Sequence, residues 1–93
     1  MEEFKTADVV ISTAGKDMGK LFYVLETDGV YLLLVNGKDR SLEKPKKKKG
    51  RHVQKVLRSE TRVAEKLRAG DKVLDSELRR DLAKIRQVLQ SNA

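Results

Sequence analysis

The residues best suited to chemistry in this 93-residue chain form a run of cations, KPKKKKGRH, at positions 44–52. Residues 44–58 hold eight lysines and arginines and no aspartate or glutamate, within a chain of net charge +7. Cations at this density attract polyanions and contact phosphates without recognising base sequence. Their mutual repulsion predicts a loop that stays mobile until a polyanion binds. The candidate phosphate contacts in this run are Lys46, Lys47, Lys48, Lys49, Arg51 and His52.

Two simpler explanations compete with polyanion binding. The run is also compatible with a solubilising loop or with a localisation-type basic patch. The exclusion of every acidic residue between positions 44 and 58 favours a binding role, because a loop that is merely solvated does not require it.

A second candidate is the glycine–lysine stretch GKDMGKL at positions 15–21. A nucleotide-binding P-loop needs four residues between its glycines and a Ser or Thr after its lysine. Here three residues separate the glycines and Leu21 follows the lysine, so the match fails. The stretch is therefore either a plain hairpin loop that exposes Lys16 and Lys20, or a loop whose lysines and glycine amides contact phosphate oxygens.

The chain lacks the residues that most catalytic and metal sites need. The chain has no cysteine and one histidine, His52, which excludes disulfides, cysteine zinc sites and a nucleophilic triad. Asp17 and Asp28 fall in turns, where aspartate commonly bonds the backbone. We therefore expect a non-enzymatic protein with no catalytic residue, no metal and no cofactor.

The elements that must position these residues change period along the chain. Alternating apolar residues predict strands at 8–13, 20–26, 30–35, 38–43 and 52–56, with tight turns between them. Residues 30–35, VYLLLV, are apolar on both faces and predict the central, most buried strand, whereas 38–43 is a weaker strand with Leu42 inward. Four to five short strands predict a small SH3-like barrel, and the fold class is mainly β with a C-terminal α extension.

The last third has the period of helices. Ser59 is the predicted N-cap of a helix that ends at Gly70, and Asp75 or Ser76 caps a second helix. The second helix carries an apolar stripe that packs on the barrel or on a protein partner: Leu78, Leu82, Ile85 and Leu89. The predicted domains are a barrel at 1–57, including the basic loop 44–52, and a helical extension at 58–93.

Residues 9–24, VVISTAGKDMGKLFYV, resemble a KOW motif, in which a glycine–lysine loop with one required glycine joins two strands. Gly19 matches that glycine, although Phe22 stands where many KOW proteins have another. The extension SLEKPKKKKGRHVQKV resembles the eukaryotic-type large-subunit KOW ribosomal proteins and their short bacterial relatives. The resemblance implies RNA contacts from Lys16, Gly19 and Lys20 as well as from the lysine run.

These observations lead us to expect an RNA-binding protein associated with ribosomal RNA or the large ribosomal subunit. A protein-interaction module of SH3 or Tudor type, or an RNA-binding subunit of an enzyme, is the alternative. The aromatic residues are few, namely Phe4, Phe22, Tyr23 and Tyr31. Their scarcity favours recognition of RNA backbone and shape over base stacking. The first residues have no signal-peptide pattern, and the sequence has no apolar run long enough to span a membrane. We therefore expect a cytoplasmic protein with no membrane partner.

Overall fold

The structure is a computed structural model that describes residues 3–91, so the outermost ends of the two predicted domains lie outside the described residues. Five antiparallel strands are followed by two helices, and the predicted mainly β fold with a C-terminal α extension is confirmed. The elements are β1 (Asp8–Ser12), β2 (Leu21–Thr27), β3 (Tyr31–Val35), β4 (Lys46–Lys49), β5 (Val53–Arg58), α1 (Arg62–Ala69) and α2 (Asp75–Ser91).

The strands lie in the order β4-β3-β2-β1-β5, so β2 is central and β4 and β5 are the edges. The expectation that residues 30–35 form the central strand is therefore wrong. The outward side chains of Tyr31 and Leu33 in β3 are only half-buried, and Val30 just before the strand is 61% exposed. Within residues 3–91 the sheet is open rather than a closed barrel, although it curls enough for β4 to touch the end of β1.

The predicted strand at 38–43 is also wrong, because residues 36–40 form a tight turn. The Asn36 side-chain oxygen accepts hydrogen bonds from the backbone N–H groups of Lys38 and Arg40, at 2.9 and 3.0 Å. The fourth strand begins instead directly after Pro45. Proline has no N–H, and at this position just before the strand none is needed for a hydrogen bond between strands. The lysine run is thus a strand, not a loop.

Each face of the sheet carries an apolar cluster, because successive side chains of a strand point to opposite sides. The inner face of the curl forms one cluster: Val10, Phe22, Val24, Leu32, Leu34 and Val53. The opposite face packs against the two helices, and its buried members include Val9, Leu21, Tyr23, Val35, Leu67, Leu78 and Leu82. The helices therefore pack on part of the sheet and leave the outer side chains of Tyr31, Leu33 and β4 uncovered.

Both predicted helices form, but their predicted N-caps are wrong. The helix α2 already includes Asp75 and Ser76, so neither precedes it as an N-cap. Thr61, not Ser59, caps α1, since its side chain accepts from the Ala64 N–H. Gly70 ends α1 in the left-handed conformation, as predicted. In α2 the predicted stripe is buried at its start, and Leu89 near its end is 38% exposed. Neither helix is long and apolar enough to cross a membrane, among the residues described.

Candidate nucleic-acid interface

A shallow groove of about 420 Å³ lies between β4 and the loop that follows β1. All six residues that the sequence predicts from the lysine run line this groove. Its lining consists of Ala14, Gly15, Tyr31, Lys46, Lys47, Lys48, Lys49, Arg51 and His52. Because the groove is shallow and surrounded by cations, it suits an extended anionic chain better than a small enclosed ligand.

The strand β4 accommodates four consecutive lysines by directing them to two faces. Lys47 and Lys49 lie opposite Leu33 and Tyr31 in the β3 pairing, and they share the outer face with the Tyr31 ring. Their ammonium groups stand 4.6 and 5.8 Å from the ring centroid. This cation–π contact and the separation onto two faces offset the repulsion that predicted a loop.

Lys48 points to the inner face and forms the floor of the groove. It is 9% exposed, and its Nζ donates to Ser12 Oγ and to the Ala14 carbonyl, both at 2.7 Å. No carboxylate in residues 3–91 lies within ion-pair distance of it. An ammonium carries three donors and has two neutral acceptors here. A buried cation without a counter-ion gains from any anion that reaches it.

The glycine–lysine loop does not join the groove as the sequence implies. The Gly19 N–H donates to the Ser12 carbonyl, and the Gly19 carbonyl accepts from Arg86, each at 2.8 Å. Lys20 donates to Asp39 at 2.9 Å, and this hydrogen bond lowers the pKa of the Asp39 carboxyl. Lys16 is exposed in a single 3₁₀ turn. Of this loop, Gly15 contributes to the groove, whereas Lys20 lines a separate depression beside α2.

The aromatic residues divide by burial. Phe22 and Tyr23 are fully buried, so neither is available to stack on a base, and Phe4 packs partly buried against the inner cluster. Tyr31 is half-buried and lines the groove. Sequence reasoning missed Tyr31 because it treated the lysines as a loop. The signal that identifies it is the alternation of 30–35 paired with a second strand at 46–49.

Metal binding finds no support in the described residues: no group of three or more His, Asp or Glu side chains in residues 3–91 is placed to hold an ion. His52 stands among cations at the groove wall, where no carboxylate is available to orient it as a general base. The lining of the groove, with five lysines and arginines, is suited to electrostatic binding of an anion.

A scan against models of protein families finds no match, and a search of curated proteins finds no significant match either. The resemblance to KOW proteins therefore rests on the motif residues alone.

Proposed function

We propose that this chain is a non-enzymatic RNA-binding protein that holds backbone phosphates of structured RNA in the β4 groove. The observation that carries the proposal is the convergence of five lysines and arginines on one groove, with the Lys48 ammonium unneutralised at its floor. Phosphate oxygens supply the missing negative charge, and counterion release makes each such contact favourable at low salt.

The choice of RNA as the polyanion comes from the KOW resemblance, since charge alone does not distinguish RNA from DNA. The same resemblance supports a cytoplasmic protein on the large ribosomal subunit as the context. The protein-interaction alternative is weaker, because SH3 and Tudor modules bind through aromatic grooves or cages. Here two of the four aromatic side chains are fully buried.

Fluorescence anisotropy with a labelled RNA hairpin tests the groove. The groove variant combines Lys46→Glu, Lys49→Glu and Arg51→Glu, and the control variant combines Lys72→Glu, Arg80→Glu and Lys84→Glu at positions outside the groove. Both variants carry the same net charge, so they differ only in where charge is reversed. We expect the groove variant to lose more than about tenfold in affinity and the control to lose less than about threefold. Equal losses would contradict the proposal.

The ribosomal context has its own test. Sedimentation of a lysate through sucrose gradients at low and high salt should show the protein with the large subunit at low salt and free at high salt. Retention at high salt would indicate an integral ribosomal protein. Absence from ribosomal fractions at both salts would refute the ribosomal context and leave the RNA-binding groove to the first test.

A further inference from the structure

A second depression, of about 330 Å³, adjoins the groove on the uncovered outer face of β3. Its lining consists of Glu26, Thr27, Asp28, Tyr31, Leu33 and Lys47. Tyr31 and Lys47 line both the depression and the groove, so the two are continuous across the Tyr31 ring. Its volume is at the lower end of the range for small-molecule sites, which begins at about 300 Å³.

The charge of this depression differs from that of the groove. Glu26 and Asp28 place two carboxylates in its wall. Backbone N–H groups of Tyr31 and Val30 bond the Asp28 carboxylate at 2.8 and 2.9 Å and lower its pKa, so it is ionised at neutral pH. Two carboxylates repel a phosphate, whereas they accept hydrogen bonds from the amino group of a neutral base.

The Tyr31 ring offers a stacking surface at the junction. The Lys47 ammonium lies 4.6 Å from its centroid, so a lysine side chain from the edge strand covers the ring there. Lysine side chains are flexible, so Lys47 and Lys49 can leave the ring for phosphates on either side of a stacked base. Leu33 adds an apolar surface to the depression beside the ring.

Building on the proposed function, we propose that Tyr31 and this depression receive one unpaired base while the neighbouring phosphates lie in the β4 groove. The ligand is then a duplex RNA interrupted by a bulged or loop nucleotide. Glu26 lies opposite Leu33 in the pairing of β2 with β3 and shares its face, which places a carboxylate acceptor at the base edge. The depression therefore favours a base that carries an exocyclic amino group.

Two hairpins with the same stem, one continuous and one with a single bulged cytosine, test this inference. We expect the wild type to bind the bulged hairpin about tenfold more tightly, the gain of one aromatic–base stack. Tyr31→Leu should abolish the preference and retain binding of the continuous stem, while Tyr31→Phe, which keeps the ring, should retain the preference. A 2-aminopurine placed at the bulge should be quenched by wild type and Tyr31→Phe but not by Tyr31→Leu.

Equal affinity of the wild type for the two hairpins would overturn the inference and leave the proposed function standing. So would a preference that survives Tyr31→Leu. Failure of the wild type to bind either hairpin would overturn the proposed function itself.

A bulged uracil tests the role of Glu26, because uracil matches cytosine in size but has a carbonyl in place of the amino group. We expect weaker binding of the uracil bulge by wild type and no such difference in Glu26→Ala. A difference that persists in Glu26→Ala would contradict the assignment of Glu26.

Discussion

The buried Tyr23 hydroxyl joins the sheet to both helices. It lies 2.9 Å from Ser59 Oγ and contacts the Asp81 carboxylate of α2, which also accepts from the Thr61 hydroxyl at 2.8 Å. Burial, together with the hydrogen bond to Asp81, raises the pKa of Tyr23 to about 12. The neutral phenol is therefore part of the folded state.

Tyr23→Phe should lower the free energy of unfolding by about 1–2 kcal/mol at pH 7, the value of a lost buried hydrogen bond. The folded pKa lies above the unfolded value of 10.0, so the stabilisation is complete below pH 10 and is lost as pH rises toward 12. Urea denaturation of both proteins between pH 7 and 11 should show the difference narrowing above pH 10. A constant difference across that range would contradict the assigned role.

Lys48 should matter more for RNA binding than an exposed lysine of the same strand. Its ammonium is already desolvated and held by two hydrogen bonds. A phosphate therefore interacts with it more strongly, and less side-chain entropy is lost on binding. Lys48→Met should reduce RNA affinity at least as much as Lys47→Met. It should change the free energy of unfolding by less than about 1 kcal/mol, since removing a buried charge offsets the lost hydrogen bonds. A larger affinity loss in Lys47→Met would contradict this ranking, and unchanged affinity in Lys48→Met would show that the groove floor is not used.

At the scale of elements, β4 shows why a lysine run need not be a loop. Its pairing with β3 uses backbone groups, which are independent of side-chain charge, and its position at the sheet edge gives every lysine access to solvent or to an acceptor. Lysines at an edge strand also prevent pairing with another chain. The sequence of the lysine run does not reveal the strand. The contacts that offset the repulsion between its lysines come from Tyr31 on the neighbouring strand and from the end of β1.

Hydrogen exchange distinguishes a strand from a mobile loop in the RNA-free protein. We expect alternate amides of residues 46–49 to be protected through their bonds to β3, together with the Gly50 N–H, which donates to the Val30 carbonyl at 3.1 Å. Uniformly fast exchange from residue 46 to 50 would contradict the strand.

The junction of α2 with the turn at 36–40 depends on Gly37. Gly37 has a φ of +75°, and a Cβ there would lie 2.1 Å from the Asp75 carbonyl oxygen at the start of α2. Gly29 has a φ of +97° with no atom within 4 Å of its ideal Cβ. Gly29→Ala should therefore cost about 1–2 kcal/mol of unfolding free energy from conformation alone, and Gly37→Ala clearly more. Similar losses in denaturant unfolding would show that α2 moves aside freely.

Over the whole molecule, the sequence predicts what local periodicity controls. The change from period two to period 3.6 separates strands from helices, and the stop at Gly70 follows from its left-handed conformation. The strand order and the position of β4 depend on long-range pairing, and on the Asn36 turn that replaces the expected strand. The lysine half of the site was predictable from composition. The separation of Lys20 from the groove was not predictable, because it depends on the folded chain bringing Asp39 next to that lysine.

The distribution of charge sets a salt dependence for the molecule. Arg79 and Arg86 of α2 donate to the carbonyls of Gly37 and Gly19, at 2.5 and 2.8 Å, so they serve to hold the helix on its loops. Under the proposed function, the phosphate contacts are the five lysines and arginines of the groove. At −0.7 to −0.9 per neutralised phosphate, the log–log slope of affinity against salt should lie between about −3.5 and −4.5.

In the groove variant, with three cations reversed, the slope should become shallower, with a magnitude of about 2 or less. The charge-matched control on the helical side should keep the wild-type slope. Anisotropy titrations from 50 to about 300 mM salt measure all three slopes. If the control lost as much slope as the groove variant, phosphates would be contacted over the whole surface. The groove would then be one of several contact surfaces rather than the binding site.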